Sequence, residues 1–164
     1  MKRAILRSSV ALGVLAITVV LAACGGQDDD PDGAKALWTK INAAPGFESW
    51  ARAPTYPTRT ESHTLHDRFV DIYVSKEMSA ALVNPAQGVT TWPVGSILVK
   101  DSYDGEKGDR SLVAVMERRA DGWFWAEYDA DGNTLFSGKP KICVDCHDNR
   151  ATYSDWVYSF ELPR

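Results

Sequence analysis

The chain has 164 residues, a formal net charge of −4, and 45% hydrophobic and 24% charged residues. That balance fits one ordinary globular domain and excludes a polybasic surface for nucleic acid. Three cysteines are too few for a disulfide framework.

Lys2, Arg3 and Arg7 give a positive start, and Val10 to Ala23 is an uncharged, mostly apolar run. The run is shorter than the ~20 apolar residues a bilayer span requires, so it predicts a signal-peptide core. It ends Leu21-Ala22-Ala23-Cys24, which resembles the lipobox of bacterial lipoproteins. That resemblance implies cleavage after residue 23 and acylation of Cys24, anchoring the mature protein to a membrane on the periplasmic side. The alternative is an ordinary cleaved signal. Gly25 stands where an aspartate would favour inner-membrane retention, which points to the outer membrane. Loss of three positive charges takes the net charge from −4 to −7, against docking on anionic lipid.

Residues 24–33 (CGGQDDDPDG) offer little to bury and predict a flexible tether. Residues 34–164 form the single expected domain. Leu37, Trp38 and Ile41 sit at helical spacing within residues 34–44, before Pro45-Gly46. Residues 51–60, with Pro54 and Pro57, are expected to be irregular. In residues 68–75, Val70, Ile72 and Val74 share one face, with Phe69 and Tyr73 on the other, predicting a strand apolar on both sides. Residues 76–83 predict a short helix, ended by Asn84-Pro85.

Residues 96–101, 111–117 and 123–128 predict three more strands, the last two joined by a turn at Asp121-Gly122. Residues 129–133 (DADGN) lack the spacing and closing glutamate of a calcium-binding EF-hand loop and predict a turn. A short helix is expected over residues 155–159. Four central strands with peripheral helices give an α+β class, mainly antiparallel β sheet.

Near the C-terminus, Cys143, Val144, Asp145, Cys146 and His147 spell C-x-x-C-H, the attachment sequence for a c-type haem. Two thiols at this spacing can form thioethers to the two vinyl groups of one porphyrin, and the histidine can then bind the iron. Two other chemistries use such residues. A thioredoxin-type pair would need a following βαβ unit, and a zinc site would need His63 or His66 to complete its ligands. For the other side of the iron the candidate ligands are His63, His66, Met78 and Met116. Lys100 ends an apolar strand, where a lysine ordinarily carries its charge out to water.

The order Leu65-His66, then Val70-Asp71-Ile72-Tyr73-Val74, then the segment from Pro93 to Asp101 (PVGSILVKD), resembles the cytochrome P-460 family and its relative cytochrome c′-beta. The likeness continues through Val115-Met116-Glu117, Asp121-Gly122-Trp123-Phe124-Trp125, the haem motif and Asp155-Trp156-Val157. It implies a mainly antiparallel β fold, a homodimer, and one covalently attached haem c per chain, with Cys143 and Cys146 as thioether donors and His147 as iron ligand. In hydroxylamine-oxidising members a lysine of this strand is bonded to the porphyrin, and Lys100 occupies that position. Those members also carry a distal carboxylate, and Val113 falls at its place. An apolar pocket would favour nitric oxide over a substrate that must lose protons.

These readings predict an exported, lipid-anchored mono-haem cytochrome that binds a small ligand such as nitric oxide, or passes electrons to a redox partner protein. The alternatives are a hydroxylamine-oxidising enzyme with Lys100 cross-linked, and a haem-free zinc or thiol module.

Overall fold

The computed structural model describes residues 29–66, 68–83 and 90–162. The expected signal peptide, Cys24 and the Asn84-Pro85 helix stop lie outside them. One seven-stranded antiparallel sheet organises the domain. The strands are β1 (Ala51–Arg52), β2 (Thr60–Glu61), β3 (Phe69–Val74), β4 (Ile97–Tyr103), β5 (Arg110–Arg119), β6 (Gly122–Asp129) and β7 (Thr134–Gly138). The sheet order is β1-β3-β4-β5-β6-β7, with β2 pairing the other half of β3. The four strands expected from alternation are all present and form its centre, as the α+β reading requires.

Alternation divides the apolar residues into two cores. On one face Tyr73, Val99, Val113, Val115, Ala126 and Tyr128 pack against helix α1 (Pro31–Asn42) through Ala34, Leu37 and Ile41. Burying Leu37 and Ile41 stabilises this layer by about 1.5–3 kcal/mol each. Tyr128 Oη donates to the Ala34 carbonyl at 2.6 Å. Trp38 lies 4.6 Å from the Tyr128 ring. Gly132, at φ 86°, allows this packing: a Cβ there would stand 2.7 Å from the Trp38 ring.

The opposite face carries Val70, Ile72, Val74, Leu98, Met116 and Trp125. Met78 of helix α2 (Lys76–Val83), Trp92, Val157 and Leu162 cover part of it. The buried carboxylates Asp71 and Asp101 are matched by Arg52 and Arg110 at 2.5 and 2.7 Å.

Four local expectations change. Helix α1 begins at Pro31, not residue 34, because the Asp30 side chain caps it through Gly33 N at 2.8 Å, with proline at its first position. The last three residues of the expected tether are therefore helical. Residues 51–60 are not wholly irregular, since β1 and β2 satisfy the outer edge of β3. Strand β7 was not expected. Its pattern is short and half exposed, and it forms by continuing the sheet beyond β6.

The helix expected over 155–159 does not form. Helix α4 (Ala151–Ser154) stops at Asp155 and Trp156, which have φ values of 46° and 72°. Two consecutive left-handed residues cannot continue a right-handed helix.

Candidate haem site

Gly138, at φ 86°, ends β7, and Pro140 turns the chain into helix α3 (Lys141–His147). Helical spacing puts Cys143, Cys146 and His147, at i, i+3 and i+4, on one side of that helix. Cys143 is half-buried among the residues around Trp125, and Cys146 is exposed. Both thiols are free. Burial pushes the Cys143 thiol up to about 11, with the charges of Glu127 and Cys146 adding to the effect.

His147 is held on several sides. Its Nδ1 lies 2.6 Å from the Trp156 carbonyl oxygen. Tyr158 meets the ring edge-on at 5.1 Å and donates its hydroxyl to the Cys146 carbonyl at 2.8 Å. A neutral imidazole with Nδ1–H on a carbonyl leaves Nε2 as the free base, the atom a metal would take. Burial holds the ring pKa below its usual value; the carbonyl opposes that shift, and His66 and Lys100 add to it. The ring is therefore mostly neutral at pH 7, as an iron ligand must be.

The left-handed pair at Asp155-Trp156 is what aims that carbonyl. Asp155 accepts the Trp92 backbone N–H at 2.8 Å, and Trp92 Nε1 donates to the Ser154 carbonyl at 3.0 Å. Backbone in a rare conformation is held here by a buried tryptophan, at the one place where it orients His147.

Beside α3 the sheet is left partly uncovered. One row across it reads Ile72, Lys100, Ala114, Glu127 and Phe136. Although β4, β5 and β6 are central strands, Lys100, Ala114 and Glu127 are only half-buried and Phe136 is exposed. Their neighbours on the α1 side, including Asp101, Val113, Ala126 and Tyr128, are buried. A central sheet surface open on one side only, next to two thiols, is a cradle for a flat apolar group.

The residues fit a haem. Trp125 Nε1 and Ser102 Oγ, on this face, are buried without a protein partner, as polar atoms at a ligand cavity often are. Cys143 and Cys146 would carry the thioethers and His147 the iron, with Trp125 and Trp156 as apolar walls. When bound, the haem supplies a redox-active iron that binds small ligands. A zinc site finds less support: among the described residues no group of three or more His, Cys, Asp or Glu could hold a metal ion.

Lys100 points onto this same face, not out to water. Its Nζ donates to Thr64 Oγ1 at 2.5 Å and Ser62 Oγ at 3.3 Å. Burial pushes its ammonium down to about 8, against the opposing pull of Cys146 and Glu127. His63 is exposed, whereas Met78 and Met116 are core residues. His66 alone of the four candidate sixth ligands is half-buried and engaged at the cradle.

Val113, which falls at the place of the distal carboxylate in the resemblance, does not share the face of Lys100. It pairs with Asp101 and Tyr128 and is buried on the α1 face. The residue of β5 opposite Lys100 is Ala114, and the carboxylate on this face is Glu127, one strand further on. Its Oε2 lies 3.1 Å from His66 Nδ1. Glu127 was not singled out in the sequence, yet it shares the alternation of Trp123 and Trp125: a charge on the apolar side of a central strand was the available signal.

The profile of the Cytochrome P460 family matches residues 44–159, well over half of the chain. Comparison with curated proteins gave no match.

Proposed function

Since this chain belongs to the cytochrome P460 family and is thereby a haem-binding cytochrome, we propose that it carries one covalently attached haem c and takes a small nitrogen–oxygen ligand in the cavity beside Lys100 and Glu127. The observation that carries this reading is the meeting of two free thiols and an oriented His147 with the half-open row Lys100–Ala114–Glu127. Attachment is tested by intact mass of protein made with a haem-attachment system. One added haem is expected, and none would defeat the proposal. Optical and resonance Raman spectra should then show a high-spin iron that binds nitric oxide. A low-spin iron with a strong protein ligand would indicate an electron carrier serving a redox partner protein.

A second reading, hydroxylamine oxidation with Lys100 bonded to the porphyrin, is favoured by the lowered pKa of that amine and by a carboxylate on its own face. With the carboxylate at Glu127, the argument for an apolar pocket from Val113 no longer stands. The reading expects a red-shifted haem spectrum and turnover with an external electron acceptor. Loss of the red shift in Lys100→Ala would support it, and an unchanged spectrum would remove it.

The same proposal places the protein on the periplasmic side, anchored through Cys24, at the outer membrane. Lipid labelling lost in Cys24→Ser and membrane fractionation test it. A homodimer is part of the reading, supported by exposed Leu135 and Phe136 on the edge strand β7. Light scattering decides between one copy and two.

A further inference from the structure

We propose that His66 is the side chain that hydrogen-bonds a small ligand in the haem cavity, and that Glu127 is its positioning residue. The inference rests on the haem reading above and deepens it. Residues 62–66 cross the open row as a strap, fastened at two points. Lys100 on β4 holds Ser62 and Thr64, and Glu127 on β6 holds His66. Between these anchors lies Ala114, the smallest side chain of the row, on the strand between β4 and β6, which stand about two strand spacings apart, ~10 Å.

The ring of His66 is fixed through one nitrogen only. With Nδ1 on the Glu127 carboxylate, Nε2 has no partner among the described residues, and the ring is largely shielded from solvent, its side chain 26% exposed. Glu127, which holds His66, and Lys100 stand in one row across the sheet, on either side of Ala114. The carboxylate fixes the orientation of the ring, and with Nδ1–H given to Glu127 the ring donates to a ligand from Nε2 in its doubly protonated form. The cavity thus acquires an aimed polar group, which favours ligands able to accept a hydrogen bond over those that cannot.

The test uses the haem-loaded protein and two probes. Fluoride on the oxidised iron accepts hydrogen bonds strongly, whereas carbon monoxide on the reduced iron accepts them poorly. His66→Leu is expected to weaken fluoride about tenfold, the size of one hydrogen bond to a charged group, and to change carbon monoxide affinity less than twofold. The carbon monoxide stretching frequency should rise in the same variant. His66→Gln, which keeps a donor, should recover part of the fluoride affinity, and Glu127→Gln should lose about threefold with His66 intact. Equal fluoride affinity in wild type and His66→Leu overturns the inference. So does a low-spin wild-type iron that becomes high-spin in His66→Leu, which would make His66 an iron ligand. Absence of haem from the wild-type protein overturns the haem reading as well, and is seen by mass before any variant is made.

Discussion

His147 Nδ1 and the Trp156 carbonyl oxygen stand 2.6 Å apart. The eight residues between them end at Asp155, which with Trp156 makes the left-handed turn that brings the carbonyl back to the helix bearing the two cysteines. This contact joins sequence to chemistry directly. The backbone conformation at Asp155 and Trp156 determines which nitrogen of His147 is free and how strongly it donates.

Asp155→Ala should therefore affect the haem as well as the fold. Alanine in the left-handed region costs about 1–2 kcal/mol, and the bond to Trp92 N is lost. We expect a lower thermal midpoint and a more positive reduction potential, because an imidazole released from its carbonyl donates less electron density to iron. Asp155→Asn, which tolerates that conformation and keeps an acceptor, should show a much smaller change in both. A lowered midpoint with an unchanged potential would separate the turn from the iron.

Removing the thiols tests attachment residue by residue. Cys143→Ala and Cys146→Ala should each leave at most one thioether, and the double variant none, read as haem released by acidified organic solvent when Lys100 is also replaced. His147→Ala should keep the thioethers while losing the proximal ligand, giving a changed Raman iron–ligand band. Haem retained covalently when Cys143, Cys146 and Lys100 are all replaced by alanine would contradict the assignment.

Residues whose pattern repeats were legible, and those placed by a partner were not. Val70, Ile72 and Val74, or Ile97 and Val99, announce strands because both faces of a central strand are apolar. Strand β7 has Thr134, Leu135 and Phe136 exposed, so its sequence carries no such period. The C-x-x-C-H spacing was legible because covalent chemistry constrains it. The pairing of Glu127 with His66 spans 61 positions, and no local pattern encodes it. The face of Val113 was illegible for a related reason: a shift of one residue along a strand moves a side chain to the opposite face.

Lys100 supplies a pH dependence with a definite sign. Its amine titrates near 8 in the fold against 10.5 in the open chain, so burial of the charged form is a cost. That cost is fully present below pH 8 and is relieved as pH rises toward 10.5, where the folded amine is already neutral. The difference corresponds to about 3 kcal/mol at most. In haem-free protein, Lys100→Met should thus be relatively more stable near pH 7, and this advantage should shrink between pH 8 and 10.5. Denaturant midpoints of both proteins across that range check it, and a stability difference independent of pH would show the amine to be solvated.

Two adjacent positions on β5 offer the sharpest test of which face holds the haem. Val113 is fully buried against the α1 layer, so Val113→Ala should destabilise the fold by about 1–3 kcal/mol through lost burial and a small cavity. Its haem spectrum should match the wild type. Ala114 lies between Lys100 and Glu127 on the open face and is only half-buried. Ala114→Phe should therefore fold with little loss of stability, but add bulk to the open row between Lys100 and Glu127. Haem occupancy should fall, or the haem spectrum and fluoride binding should shift. If Val113→Ala altered the spectrum and Ala114→Phe did not, the haem would belong on the α1 face and the cradle described above would be wrong.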